Sequence, residues 1–377
     1  MPEARGSGSA IVRPVAGRAD LRRFLHLPAK IYAGNPAWVP PLELERRALL
    51  DRRRNPFFRH SDAALFLAER DGLPVGRIAA IENRRHLATY GDGVGFFGLF
   101  ESIDDRVVAG ALLARAAAWL HERGLARLRG PMSFTINDEC GLLVDAFELP
   151  PVFLMAYNPP YYAALLEGLG LRSVQELYAF RMDVPPAVPQ AVVAAARVAE
   201  RAGVVVRRID FGRLDEEVAR IHRVHDQAWA ENWGAVPLTR EEVAALAREI
   251  KPFADRDLVF LAEHDGEPIG VAVTIPDFNQ AIAAARGRLL PWGWLRILRR
   301  RRRIDAVRVL ILGVVAPWRH RGVDAALYAR TMETARRKGY RWGELSWILE
   351  SNRPMIAVLE RFGAERYKTY RVYEREL

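Results

Sequence analysis

The segment Val307-Arg308-Val309-Leu310-Ile311-Leu312-Gly313-Val314-Val315-Ala316-Pro317-Trp318-Arg319-His320-Arg321-Gly322-Val323-Asp324 runs from an apolar, β-branched strand into a short basic loop. Gly313 interrupts the strand, as a bulge or a close approach would require. Beyond the loop, Leu327, Tyr328, Met332 and Ala335 fall at helical spacing, and Arg336, Arg337 and Lys338 end in Gly339. That ending suits the negative end of a helix dipole and a left-handed cap. A loop that opens a helix presents unpaired N–H groups, and Arg319, His320 and Arg321 add positive charge beside Gly322. The expectation is a site for an anion.

These residues resemble the pyrophosphate loop of the GNAT superfamily of acyl-CoA-dependent acyltransferases, written Q/R-x-x-G-x-G/A, at Arg319 and Gly322. Asp324 replaces the final small residue; it either brings a carboxylate near the phosphates or caps the helix. Downstream, Asn352, Glu360, Arg361 and Gly363 stand in register with the family's N-x-x-A-x-x-x-Y-E-K-x-G-F, whereas Leu359 replaces the tyrosine that often protonates the leaving thiolate. The resemblance implies acetyl-CoA or another acyl-CoA as co-substrate, with direct transfer to a primary amine of a small molecule or peptide. Its donor site would comprise Leu312, Val314, Arg319, His320, Arg321, Gly322, Val323, Asp324 and Asn352.

With 377 residues, half of them apolar, the chain can bury two ordinary cores. Its net charge of +10 favours acidic ligands, although the excess is largely arginine. Cys140 is the single cysteine, which excludes an internal disulfide and fits a reducing compartment. Neither a signal-peptide core nor an uncharged apolar run of membrane-spanning length is legible, so a cytoplasmic location is the default expectation.

The chain repeats itself. Phe66-Leu-Ala-Glu-Arg-Asp71-Gly72-Leu-Pro-Val-Gly76 recurs as Phe260-Leu-Ala-Glu-His-Asp265-Gly266-Glu-Pro-Ile-Gly270, two hairpins with the same Asp-Gly turn. Asn35, Val39 and Pro40 recur as Asn232, Val236 and Pro237, and Asn158-Pro-Pro is echoed by Asn352-Arg-Pro. Three anchors in one order imply a duplicated domain. The proline-rich stretch Asp183–Pro189 reads as the linker. The expected fold is α/β (α+β), with two tandem GNAT-like domains, 1–184 and 185–377. Each would be a mixed, mostly antiparallel sheet flanked by helices, with a V-shaped parallel splay in the second. In the first copy the strand Gly95–Phe100 runs into the acidic loop Glu101–Arg106, which lacks a phosphate-cradling glycine. That copy is expected to be degenerate and to shape the substrate site.

For the base, strand alternation selects Glu350 first and Glu344 second; Tyr370, in the phenol-rich tail, is the candidate acid. Asn137, Asp138, Glu139, Tyr157, Asn158 and Tyr161 either line a substrate cleft or form hydrogen-bonded turns. Cys140 reads as a buried thiol, and His222 with His225 lack the further ligands that a zinc site needs, so no metal is expected. Leu289 to Leu298 carries two tryptophans into Arg299–Arg303. The segment reads as a solvated loop between strands, or else as an element that docks on a membrane surface or an acyl-carrier protein and walls an acyl pocket. Two rival functions remain: a long-chain acyltransferase drawing on acyl-CoA or acyl-carrier protein, and a non-catalytic acyl-CoA-binding or nucleic-acid-associated module. Nucleic acid is the less expected partner.

Overall fold

The structure, a computed structural model, describes residues 10–289 and 291–377; the expected lead-in 1–9 and Leu290 lie outside the described residues. The chain divides into two compact units. One holds the residues up to Glu176 together with Thr369–Leu377, and the other holds Leu177–Lys368. The divisions therefore fall inside two strands, not at the proline-rich connector, where the sequence places a boundary at 184/185.

The first unit comprises β1 Ile11–Pro14, α1 Gly17–Ile31, α2 Glu43–Leu49, β2 Asp62–Arg70, β3 Leu73–Glu82, α3 Arg84–Tyr90, β4 Val94–Ser102, α4 Arg106–His121, β5 Arg127–Gly130, β6 Leu142–Leu143, α5 Tyr162–Gly168 and the start of β7 Arg172–Asp183. The second contains the rest of β7, α6 Gln190–Arg201, β8 Val205–Arg208, α7 Leu214–Trp229, α8 Arg240–Ile250, β9 Val259–His264, β10 Glu267–Pro276, α9 Asn279–Ile282, α10 Gly293–Arg300, β11 Ala306–Val314, α11 Val323–Arg337, β12 Trp342–Leu349, α12 Arg353–Arg361 and the start of β13 Glu365–Glu376.

The two orders correspond from β1 and β8 onward, apart from β6, extra in the first copy, and α10, extra in the second. Both hairpins turn on an Asp-Gly pair with positive φ at each residue: Asp71 at 51° and Gly72 at 74°, Asp265 at 50° and Gly266 at 80°. This is the turn whose twist suits antiparallel strands, and it explains why that dipeptide occurs in both copies. In the first unit β1 to β5 pair in sequence, and β5 then pairs with the far end of β13, Tyr373 opposite Gly130. In the second, β8 to β12 pair in sequence, and β12 pairs with β7. The last strand of each repeat has thus been exchanged. Tyr373 is fully buried in the first unit's core with Phe66, Leu112 and Leu120, so β13 seals a core built some 250 residues earlier.

Among the described residues each unit has one parallel pair, and each pair stops early. β4 and β5 pair from Val94–Arg127 to Phe96–Arg129; β11 and β12 pair from Ala306–Trp342 to Val309–Leu345. In the first unit the chain itself lies against the diverging strand: the Met132 amide donates to Phe97 O at 2.7 Å, and a Cβ on Gly98 would lie 2.3 Å from Met132 O. Glu101 and Ser102 belong to β4 and are buried, so the expected acidic loop is shorter than its sequence implies. The segment expected as a loop at 289–303 contains α10 and a further short turn, Arg301–Arg303, a correction that follows from Trp294, Leu295, Ile297 and Leu298 recurring at helical spacing.

Gly322 and Gly339 flank α11 and both have positive φ, 78° and 82°. A Cβ on Gly322 would lie 2.1 Å from Ala195 O of α6, whereas one on Gly339 meets nothing within 4 Å. Gly322→Ala should therefore cost about 3 kcal/mol or more and Gly339→Ala about 1 kcal/mol; equal shifts in thermal unfolding would contradict this packing. Stopping the chain after Lys368 strips β5 and β6 of their partner strand. Amide protection in the first unit should then collapse under hydrogen exchange, and a first unit that keeps its protection would refute the strand assignment.

Candidate functional site

The second unit carries a slot where its parallel strands part. One edge of β11 stays bonded to β10, with Ala272 opposite Leu312 and Gly270 opposite Val314. The other edge leaves β12 after Val309, and among the described residues no strand pairs with it from there on. Burial follows the same line. Ala306, Val307 and Arg308 are buried, whereas Val309 to Gly313 are half-buried, as are Trp347, Ile348 and Leu349 of β12. An apolar strand in mid-sheet becomes half-exposed only where its neighbour has moved away. The slot thus has two apolar walls and unpaired backbone groups along one edge, including the neighbourhood of Leu312 and Val314.

Above it stands the loop into α11. Pro317 opens a short turn over Ala316–Trp318, and the Trp318 ring lies 4.5 Å from His264 and 5.2 Å from the Arg321 guanidinium, centre to centre. Arg319 holds the loop to the framework, donating to Val314 O at 3.3 Å and to Ala228 O at 3.0 Å, with Glu231 at 3.9 Å. His320 takes the left-handed conformation, φ 61°, and is exposed together with Arg319 and Arg321. Gly322 caps α11 by conformation alone, and no side chain caps it. Asp324 lies in the first turn, two residues past the cap position, and does not cap the helix. The first amides of α11 accordingly have no intrahelical partner, beside three basic side chains. The space that Gly322 provides is taken by α6, so helix packing accounts for this glycine. Gly313 similarly makes room for Trp229 of α7, whose ring stacks on His225 at 4.8 Å. His222 reaches Leu238 O at 2.8 Å.

Asn352 caps α12 by accepting from the Met355 amide at 3.3 Å, and Leu359 is buried with Tyr178, Phe180 and Ile356. Tyr328 of α11 donates to Met355 Sδ at 3.2 Å; burial, reinforced by Asp324, pushes its phenol up.

The two carboxylate candidates differ sharply. Glu350 follows the end of β12 and is half-buried. Glu344 is fully buried, directly opposite Arg308 in the parallel register and one residue before the strands part. Its Oε1 accepts from Ser346 Oγ at 2.6 Å and lies 3.8 Å from Arg308 Nε. Its Oε2 accepts from the Tyr367 hydroxyl. Arg308 also donates to Ser346 Oγ at 3.2 Å and lies 5.3 Å from the Trp347 ring centre. Tyr367 is half-buried, whereas the carboxylate it meets is fully buried. Tyr370, the sequence candidate, lies in the first unit, paired with Leu143 and fully buried. Sequence alone does not choose Tyr367 among the tail's phenols or single out Arg308, though a lone charge within the apolar run Val307–Leu312 is a signal that a buried acid faces it.

The first unit's polar candidates are tied into their own framework. Asp138 accepts from Thr135 Oγ at 2.7 Å, the Asn137 amide donates to the same hydroxyl, and Glu139 pairs with Arg46. The Tyr157 hydroxyl donates to Phe147 O at 2.6 Å, and Tyr161 donates to Ser102 O at 2.8 Å. Asn158 mimics a strand neighbour, accepting from the Leu143 amide at 2.7 Å and donating to Leu143 O at 3.0 Å. Asp105 caps α4 by accepting from the Val107 and Val108 amides. Burial pushes the Glu101 carboxyl up; Arg77 and the hydroxyls of Tyr162 and Tyr32 oppose it. Burial likewise lifts the Cys140 thiol to about 12, leaving it inert near neutrality.

No family model matches the chain. It is 37% identical over 384 residues to the bacterial ceramide synthase of Caulobacter vibrioides, covering 100% of both chains. It is 34% identical over 377 residues to protein YghO of Escherichia coli, covering 98% of this chain and 96% of the other. Among solved structures, a tandem GNAT protein from the clavulanic acid biosynthesis pathway superposes with a TM-score of 0.59 at 17% identity, covering 97% and 98% of the two chains. A GCN5-related N-acetyltransferase from Sphaerobacter thermophilus gives 0.54 at 16%, covering 98% and 96%. The chain therefore belongs to the family of the Caulobacter ceramide synthase and YghO, and it has the tandem GNAT fold.

Proposed function

We propose that the protein is an N-acyltransferase that moves a fatty acyl group from a coenzyme A thioester to the amine of a long-chain amino alcohol. The observation that carries this reading is the parting of β11 and β12 after Val309–Leu345, which leaves a slot with apolar walls below an uncapped helix N-terminus. The Caulobacter relative adds support, since a ceramide is the amide of a fatty acid with such a base. Acetyl transfer, the sequence-level expectation, makes less use of the half-exposed Leu310, Ile311 and Leu312. In the first unit the Asp105 cap and the closure of the strand gap over Gly98 support assigning the donor to the second unit alone.

In this reading the first amides of α11, with Arg319, His320 and Arg321, hold the diphosphate, and free backbone N–H groups near Leu312 and Val314 polarise the thioester carbonyl. The neutral amine attacks that carbon; the C–N bond forms, and the C–S bond breaks as the tetrahedral intermediate collapses. The amine proton passes to the Tyr367 oxygen as Tyr367 gives its own to Glu344, and the reverse transfer through Tyr367 protonates the departing thiolate and restores the Glu344 carboxylate. Arg308 and Ser346 hold the Glu344 carboxylate in place, Ser346 donating to its Oε1.

Glu344→Gln keeps the shape and can still meet Ser346 and Tyr367, but it cannot take a proton. kcat should fall about 100-fold or more while donor affinity by calorimetry stays within about threefold, with Tyr367→Phe following the same split. A variant that only melts earlier, because Arg308 has lost its counter-charge, would leave Glu344 a structural residue. In thermal-shift titrations a palmitoyl thioester of coenzyme A should stabilise the protein clearly more than acetyl-CoA. The reverse order would refute the fatty-acyl assignment and restore acetyl transfer.

A further inference from the structure

From Phe278 to Ile304 the chain has eight arginines and no acidic residue. Arg286 and Arg288 precede α10, Arg296 lies within it, and Arg299–Arg303 run from its last turn through the turn after it. Among the described residues none of these eight enters an ion pair, and Arg296 and Arg299 to Arg303 are all exposed. The same element carries Trp292, Trp294 and Leu298 at 65%, 50% and 42% exposure. Of the nine tryptophans these two are the exposed ones, since the other seven are buried or half-buried. Trp294 and Leu298 stand one helical turn apart and so share a face.

This display is built on a firm base. Gly293 is buried so tightly that a Cβ there would lie 1.7 Å from Arg288 O, and the Trp294 amide donates to Leu289 O at 2.9 Å. α10 is thus pinned from beneath while its tryptophans and arginines point outward.

We propose that α10 and the turn after it dock on the surface of an anionic lipid bilayer, the indoles entering the headgroup layer and the arginines reaching lipid phosphates. Indole is amphipathic and settles at that depth, and arginine lays its alkyl stem along apolar surface while the guanidinium contacts phosphate. Uncompensated positive charge complements a negative leaflet, with attraction falling off within a Debye length. An acidic carrier protein would satisfy the arginines but gives no reason to expose two tryptophans. Peripheral docking also agrees with the absence, among the described residues, of any helix long and apolar enough to cross a membrane. It is independent of which acyl chain the slot takes.

The test is co-sedimentation of the full chain with vesicles of phosphatidylcholine alone or with about 30 mol % phosphatidylglycerol, at low and at high salt. The protein should sediment with the anionic vesicles, not the neutral ones, and be released by high salt. Trp292→Ser with Trp294→Ser should weaken binding at least about tenfold, and Arg299, Arg300, Arg301, Arg302 and Arg303 all changed to Gln should weaken it further than that, by about fivefold for each arginine near the surface. Unchanged circular dichroism and melting would show that both variants remain folded. Equal binding to neutral vesicles, no binding at all, or binding that both folded variants retain would overturn the proposal. So would arginine-dependent capture of a purified acyl-carrier protein without vesicle binding.

Discussion

Everything at the candidate site depends on where two parallel strands stop bonding. β11 and β12 share four register pairs, and past Val309–Leu345 the backbone of β11 has, among the described residues, a strand partner on one edge alone. In a closed sheet those unpaired groups would carry a desolvation cost with no return. Here they border a slot whose walls are the half-exposed ends of the same strands. Glu344 and Arg308 sit at the last stretch of closed pairing, so a buried pair of opposite charges lies just inside the fork.

The repeat and the site bear on each other through what each copy does with its fork. In the first copy the Met132 amide bonds to Phe97 O, Gly98 takes the following backbone against it, and Asp105 satisfies the start of α4. In the second copy the corresponding helix start has a glycine with no side chain to offer. One duplicated framework therefore holds one closed fork and one open fork, and the difference rests on a few residues rather than on a change of topology.

Sequence reasoning reads this molecule unevenly, for physical reasons. The Asp-Gly hairpins, the basic loop before α11 and the Gly339 ending are local, because turn geometry and helix termini select residue types directly, and each is found where the residues imply. Strand exchange is not local: β7 and β13 carry nothing in their own composition to say which β-strand they will join. Tyr367 and Tyr370 illustrate a subtler limit. They are three residues apart on one strand, so they point to opposite faces, and choosing between two phenols requires knowing which face holds Glu344. The helix α10 escapes because Pro291, Gly293 and five consecutive arginines mask its four-residue period.

The exchanged strand also sets a timetable. During synthesis the first unit's strands β1 to β5 emerge early, yet the residues that close its sheet and bury Tyr373 emerge only after the whole second unit has left the ribosome. Until then the nascent first unit exposes an unsealed apolar face and an open β-edge, a state that invites chaperone capture or pairing with another chain.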